Sequence, residues 1–238
     1  MKSKTKILAK ILIAFCLMFL IASCDKSLNK VKDIDGNEYD VVKIGDQYWL
    51  KQNLRTSKYN DRNLIQDLSN KDPYDTTWDK DAIGAFTIYA GTNNANKVKN
   101  NNEYGKLYNW YAVNTGILAP KGWHVATKAD FDILDNYLGH ANGGAKMKTT
   151  TGWNNNANTT NSSNFSAKPG GYKNMGYGFS NDMGESAYFW TAKSLDQCPN
   201  DLTKQYPICI ILHDAHENIT PSSCYSKNFG MSVRCVKD

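Results

Sequence analysis

Apolar positions recur along this chain with different periods, and each period predicts a different element. Ile11 through Ala22 is an unbroken apolar run of twelve, preceded by Lys2, Lys4, Lys6 and Lys10 and followed by Ser23-Cys24-Asp25. A bilayer-spanning helix needs about 20 apolar residues, so the run reads as the core of a signal peptide rather than as a membrane anchor. Residues 25–32 are polar and Lys-rich, which suits a spacer. Asp35-Gly36-Asn37 is a turn signal, Glu38 to Ile44 runs into Val41, Val42 and Ile44, Gly45-Asp46 turns again, and Gln47 to Leu50 follows. This pattern predicts a β-hairpin. Residues 53–82 are charged and irregular, Ala85 to Ala90 predicts a strand, and Gly91 to Asn102, with six Asn, predicts a loop.

The clearest helix starts after Thr127. Thr127 with Asp130 three residues on resembles a capping box with Asp in place of Glu, and Phe131, Leu134, Tyr137 and Leu138 are read as one apolar face. Gly139 supplies the stop. From 139 to 186 the chain is polar and Gly-rich, punctuated by Trp153, Phe165, Tyr172, Tyr177 and Phe179. Isolated aromatics in such a stretch are expected to pin irregular segments to the core. Final strands are predicted over Ala187–Thr191, Ile208–His213 and Met231–Val236, and no repeat of 20 to 50 residues is present.

Charge adds little once the leader is set aside. Removing residues 1–23 deletes four lysines and no acid, so the formal charge of +5 becomes +1 on 215 residues. A near-neutral domain without a basic stripe has no footprint for nucleic acid. Ile21-Ala22-Ser23-Cys24 resembles the bacterial lipobox, in which small residues admit the peptidase and the Cys thiol takes a lipid. Cys24 is therefore the expected lipidation site, and two or more acyl chains would hold the protein stably on a membrane. Four further cysteines, Cys198, Cys209, Cys224 and Cys235, lie in the last forty-one residues. An even number in an oxidising compartment predicts two disulfides, with three connectivities open. Zinc is the rival, but no Cys-x2-Cys pair exists, and His213 and His216 stand at i, i+3 in a strand-and-loop segment. No metal or other cofactor is expected.

Several blocks occur in order: Asp35-Gly36-Asn37-Glu38-Tyr39, Ile44-Gly45-Asp46-Gln47-Tyr48-Trp49, Tyr104-Gly105-Lys106-Leu107-Tyr108-Asn109-Trp110-Tyr111-Ala112-Val113, Pro120-Lys121-Gly122-Trp123-His124-Val125, Phe165-Ser166-Ala167-Lys168-Pro169-Gly170-Gly171-Tyr172 and Gly230-Met231-Ser232-Val233-Arg234-Cys235. Together they resemble the Fibrobacter succinogenes major paralogous domain family over residues 31–238. The resemblance implies an α+β fold similar to the C-type lectin-like and formylglycine-generating-enzyme-like group: small antiparallel sheets, one or two helices, long loops and a hairpin joining the termini. It also implies secretion or lipid anchoring, as in Bacteroidetes and Fibrobacteres. The expected organisation is a signal peptide over 1–23, a lipid-anchored spacer over 24–32 and one domain over 33–238. The family usually has Cys where this chain has Ala119, so Cys235 needs another partner. We expect Cys209 to pair with Cys235 across neighbouring antiparallel strands, leaving Cys198 with Cys224.

Trp49, Trp110, Trp123 and Trp190 read as core, His124 as a hydrogen-bonded structural residue, and Arg234 as a partner for a carboxylate or loop carbonyls. The functional expectation is a non-catalytic binding module of the cell envelope, anchored by its lipid to the outer membrane. Its ligand is a glycan or a protein docking on the loops between 139 and 186, with Trp153 and Tyr177 as contact residues. The Glu-Pro-Asn and Trp-Asn-Asp triplets of calcium-dependent sugar sites are absent. An accessory subunit of an outer-membrane complex is the alternative. A formylglycine-generating-like enzyme using Cys209 and Cys224 is weaker, because the flanking residues do not match, and no nucleophile-elbow or zinc-helix motif is present. Asp75-Thr76-Thr77 resembles the Bacteroidetes O-glycosylation pattern, which makes Thr76 a glycosylation candidate.

Overall fold

A computed structural model describes residues 28–70, 82–89, 96–174 and 180–238. Residues 1–23, read above as a signal peptide, and Cys24, Thr76 and Tyr177 lie outside these residues. The fold is mixed α and β, with more sheet than helix. β1 (Lys30–Lys32), β2 (Glu38–Ile44), β3 (Gln47–Leu50), β7 (Trp123–Val125) and β13 (Cys235–Lys237) form one sheet in the order β1-β2-β3-β13-β7. The expected hairpin is present as β2 and β3, with Val42 opposite Trp49. β13 lies between β3 and β7, so the last strand closes against the first hairpin. β1 falls inside the stretch read as spacer and pairs with β2.

A second sheet runs β12-β11-β10-β8-β9, from β8 (Gly170–Lys173), β9 (Ser180–Met183), β10 (Ser186–Cys198), β11 (Asp201–His213) and β12 (Thr220–Ser222). A third, small sheet holds β4 (Gln66–Asp67), β5 (Ala85–Thr87) and β6 (Leu107–Tyr108). The helices are α1 (Lys97–Tyr104), α2 (Trp110–Val113), α3 (Lys128–Leu138) and α4 (Gly143–Met147). Among the described residues no helix is long and apolar enough to cross a membrane.

Strand alternation divides the interior into two cores. Leu50, Tyr188, Trp190, Cys209 and Cys235 face the first, with Phe86, Tyr108 and Trp110. Their chain neighbours Trp49, Phe189, Ile210 and Val236 face the second, with Phe131, Met147, Trp153 and Phe165. All four tryptophans read as core are buried. Arg234 is buried too, and it clamps the loops as expected through carbonyls rather than a carboxylate. Its guanidinium donates to the oxygens of Leu50 at 2.8 Å, Phe165 at 2.7 Å and Ser166 at 3.0 Å, and to Asn53 Oδ1 at 2.6 Å, while lying 4.3 Å from the Phe165 ring centroid. His124 bridges Asp238 at 2.8 Å and Asp130 at 3.1 Å, tying the C-terminus to the start of α3.

The α3 cap is as expected: Thr127 Oγ1 accepts from the Asp130 amide, and Asp130 Oδ2 accepts from the Thr127 amide at 2.8 Å. Phe131, Leu134 and Leu138 are buried, but Tyr137 is 65% exposed. At about 100° per residue, position 137 falls well off the stripe formed by the other three. Its ring instead covers Gly45, where a Cβ would meet it at 3.0 Å and where φ is +60°. This turn therefore needs glycine.

Three expectations about elements are corrected. The Asn-rich stretch forms α1, held by tertiary bonds: Asn100 donates to Tyr89 O at 2.9 Å, and Asn53 to Tyr104 O at 2.7 Å. β10 and β11 each run 13 residues, beyond the apolar stretches, into a polar arm pinned by the disulfide Cys198–Cys224. The remaining pairing does not form. Cys209 and Cys235 are free and buried, because β11 neighbours β10 and β12 whereas β13 neighbours β3 and β7. Both thiols fill core positions, as buried cysteine commonly does.

Candidate functional site

The polar loops between 139 and 166 fold around α4. Its glycines permit close approach: a Cβ on Gly144 would lie 2.4 Å from Asn218 O, so only glycine lets the 217–219 segment run against the helix. The Ala145 amide then donates to Glu217 O at 2.9 Å. On the other side the Thr160 amide donates to Ala145 O at 2.9 Å and the Ser163 amide to Lys146 O at 3.1 Å. Between these walls lies a cleft of about 260 Å³ lined by Asn142, Lys146, Asn158, Thr160, Ser162 and Glu217, with two alanine methyls.

The walls are fixed from behind. Lys148 is fully buried, and its ammonium donates to the carbonyls of His213 at 2.7 Å and His216 at 2.6 Å. Burial lowers its pKa, with Asp214 and Glu217 opposing. The Trp153 ring stands 5.4 Å from this ammonium, and its indole N–H donates to Thr149 Oγ1 at 3.2 Å. Asp214 O accepts from the Asn158 amide at 3.3 Å, which joins the 213–217 turn to the opposite wall.

Trp153 is corrected by this geometry. At 4% exposure it packs in the second core and cannot stack on a ligand. It belongs instead to the support behind the cleft. No periodic signal marked the cleft residues, since they are short polar side chains on loops; Gly143-Gly144 beside Asn142 was the one local hint of close packing. His213 and His216 have ring centroids 5.2 Å apart, and among the described residues no group of three or more His, Cys, Asp or Glu is placed to hold a metal ion.

Chemically the cleft offers hydrogen bonds. Lys146 Nζ is aimed by a bond to Leu138 O, leaving two protons. Thr160 and Ser162 hydroxyls lie 3.2 Å apart. Glu217 makes no ion pair among the described residues, and Asn142 does not spend its side chain on the helix cap. The cysteines considered for catalysis are elsewhere: Cys224 is bridged to Cys198, and burial pushes the Cys209 thiol well above its ordinary range.

A second concavity, of about 600 Å³, opens beside the third sheet. Tyr59, Leu64, Ile65, Asp67, Ile83 and Phe86 line it. The Tyr59 hydroxyl lies over Gly84, where any Cβ would collide with it, and burial raises its pKa to about 12 with help from Asp61.

A family model described as Fibrobacter succinogenes major domain matches residues 42–237. The chain belongs to that family. In this Fibrobacter succinogenes major domain the match begins inside β2 and ends in β13, so it takes in both cores, the cleft and the groove. No curated protein and no solved structure matches the chain.

Proposed function

We propose that this protein is a non-catalytic binding module of the bacterial cell envelope, on a C-type lectin-like scaffold, tethered to the outer membrane through a lipid on Cys24. We infer that its ligand is a saccharide taken by the cleft beside α4. The observation that supports this most is the lining: amide, hydroxyl, ammonium and carboxylate groups converge on a space suited to a sugar ring. Hydroxyl-rich ligands need such paired donors and acceptors.

The test is a glycan array probed with the mature chain, followed by Glu217→Gln and Asn158→Ala. Each variant loses one ligand bond, so capture should weaken roughly five- to tenfold on ~1 to 1.5 kcal/mol per bond. Melting temperature should change little for Glu217→Gln, whose side chain is exposed, and fall slightly for Asn158→Ala, whose side chain also donates to Asp214 O. Chelator should alter neither property. Capture that survives both substitutions would remove the cleft from the reading.

The alternative, an accessory subunit of an outer-membrane complex, draws on a different feature. The polar arm of β10 and β11 projects from the second sheet with Leu202 64% exposed and is stapled by Cys198–Cys224. A photo-crosslinker at position 202 that captures a single envelope protein would favour it.

A further inference from the structure

The cleft beside α4 holds a cation and an anion that do not meet. Lys146 and Glu217 both line it, yet among the described residues neither forms an ion pair. Each is kept in place by other bonds. The Lys146 ammonium is turned to Leu138 O, and Glu217 stands on the 217–219 wall, where its own carbonyl accepts from the Ala145 amide at 2.9 Å. Opposite charges held apart on fixed backbones can be bridged by a ligand that offers an acceptor to the ammonium and a donor to the carboxylate. Such charge-assisted bonds are roughly twice as strong as neutral ones, so this pair weighs most in selecting what binds.

The two alanines narrow the choice. Ala145, 5% exposed, lies on α4 between the walls, and Ala157 is exposed on the loop opposite; both line the cleft beside Lys146 and Glu217. A ligand surface made of hydroxyls alone would set polar groups against these methyls without a bond to compensate. An acetamido group carries a carbonyl acceptor, an N–H donor and a methyl side by side, and the lining offers a match for each. The two formal charges also cancel, so an acidic sugar attracted by Lys146 is repelled by Glu217, and a free amine attracted by Glu217 is repelled by Lys146.

We infer that the cleft selects N-acetylated amino sugars. Lys146 donates to the acetamido carbonyl, Glu217 accepts from its N–H, and the acetyl methyl lies against Ala145 and Ala157. Asn142, Asn158 and Ser162 are left for the ring hydroxyls; the Asn158 amide gives one proton to Asp214 O and keeps its carbonyl and second proton. This inference rests on the saccharide reading proposed above and names the class of sugar within it.

The experiment titrates the mature chain with three β-1,4-linked trisaccharides that share one backbone and differ at the second ring carbon: glucose with a hydroxyl, glucosamine with a free amine, and N-acetylglucosamine with an acetamido group. The acetamido compound should bind roughly tenfold tighter than either of the others, because a site built around its groups leaves them unpaired when they are missing. Glu217→Gln should weaken the acetamido compound roughly fivefold, for one bond, and leave the hydroxyl compound within about twofold. Ala157→Asp, at an exposed position, should erase the preference by setting a carboxylate where the methyl lies, with the parent's melting temperature retained. Equal binding of all three, weakened alike by Glu217→Gln, overturns the acetamido inference and leaves a saccharide cleft standing. So does capture of a different glycan, lost on Glu217→Gln, when none of the three binds. Tightest binding of the free amine overturns it in favour of a cation held by Glu217. If no glycan is captured, or if the acetamido preference survives both substitutions, the cleft reading falls and this inference with it.

Discussion

Replacing Arg234 by Met removes a group that ties three separate segments together. The guanidinium is fully desolvated, and that burial lowers its pKa to about 9. Because the folded value lies below the unfolded one, holding the cation inside costs stability at neutral pH, and its hydrogen bonds must offset that cost. It donates to Asn53, Leu50, Phe165 and Ser166. A thioether leaves these acceptors facing apolar surface, each costing ~1 to 3 kcal/mol if unmet, while relief of desolvation returns part of the sum. Breaking comparable buried charged networks from one side costs ~3 to 5 kcal/mol, which is the expected loss. Arg234→Lys keeps the charge but gathers its donors on one atom and loses the planar contact with the Phe165 ring, so it should lose about 1.5 to 3 kcal/mol. The assay is urea unfolding followed by tryptophan fluorescence, paired with amide exchange across 163–167. An Arg234→Met variant within ~0.5 kcal/mol of the parent, or one whose exchange at 163–167 is unchanged, would refute the reasoning.

Trp153→Ala should cost ~3 to 5 kcal/mol in the same assay, and a change under 1 kcal/mol would mean the ring is not core. Cys198→Ser with Cys224→Ser should cost ~2 to 4 kcal/mol and speed exchange in the arm, while leaving the first β-hairpin untouched. Thiol titration of the parent should find Cys209 and Cys235 unreactive until denaturant is added; rapid native labelling, or no free thiol after unfolding, would contradict their placement. Asp35 would be raised by burial, but hydrogen bonds from Ser57 and the Lys58 ammonium outweigh this and hold it below its ordinary value. A depressed carboxylate contributes stability above its unfolded pKa of about 3.9 and loses it as pH falls lower. Asp35→Asn should therefore melt below the parent at pH 7 and approach it as pH falls below the unfolded value; parallel curves would exclude that role.

Where local chemistry and burial agree, the sequence was sufficient to read the fold. The β2–β3 hairpin follows from its turn residues, and α3 follows from Thr127, Asp130 and Gly139. The four tryptophans read as core are inside, and Arg234 binds carbonyls. The unread elements are those that tertiary contact makes. Nothing in Lys97–Tyr104 favours a helix on its own, since only Asn100 is buried, and its stability comes from partners on other segments. The outer halves of β10 and β11 carry no apolar alternation because they pair with each other outside the core. Cysteine parity misled for a related reason: Cys209 and Cys235 sit at core-facing positions of strands in different sheets, which pairing arithmetic cannot see.

The candidate site was misread at Trp153, and the physical reason bears on function. A long loop rich in Asn, Ser and Gly cannot hold itself, so Trp153 and Phe165 within it are drawn inward. Trp153 and Phe165 are both buried, and Phe165 touches Trp49 and Phe189 with ring centroids 5.4 and 5.9 Å apart. Anchoring of this kind leaves the short polar residues between the anchors on the outside. Their backbones are then fixed by Ala145, Lys146, Lys148 and Asp214 rather than by regular structure. A surface of fixed amides and hydroxyls is what remains. The residues to vary in search of a ligand are therefore Asn142, Asn158 and Glu217, whereas varying Trp153 would dismantle the floor beneath them.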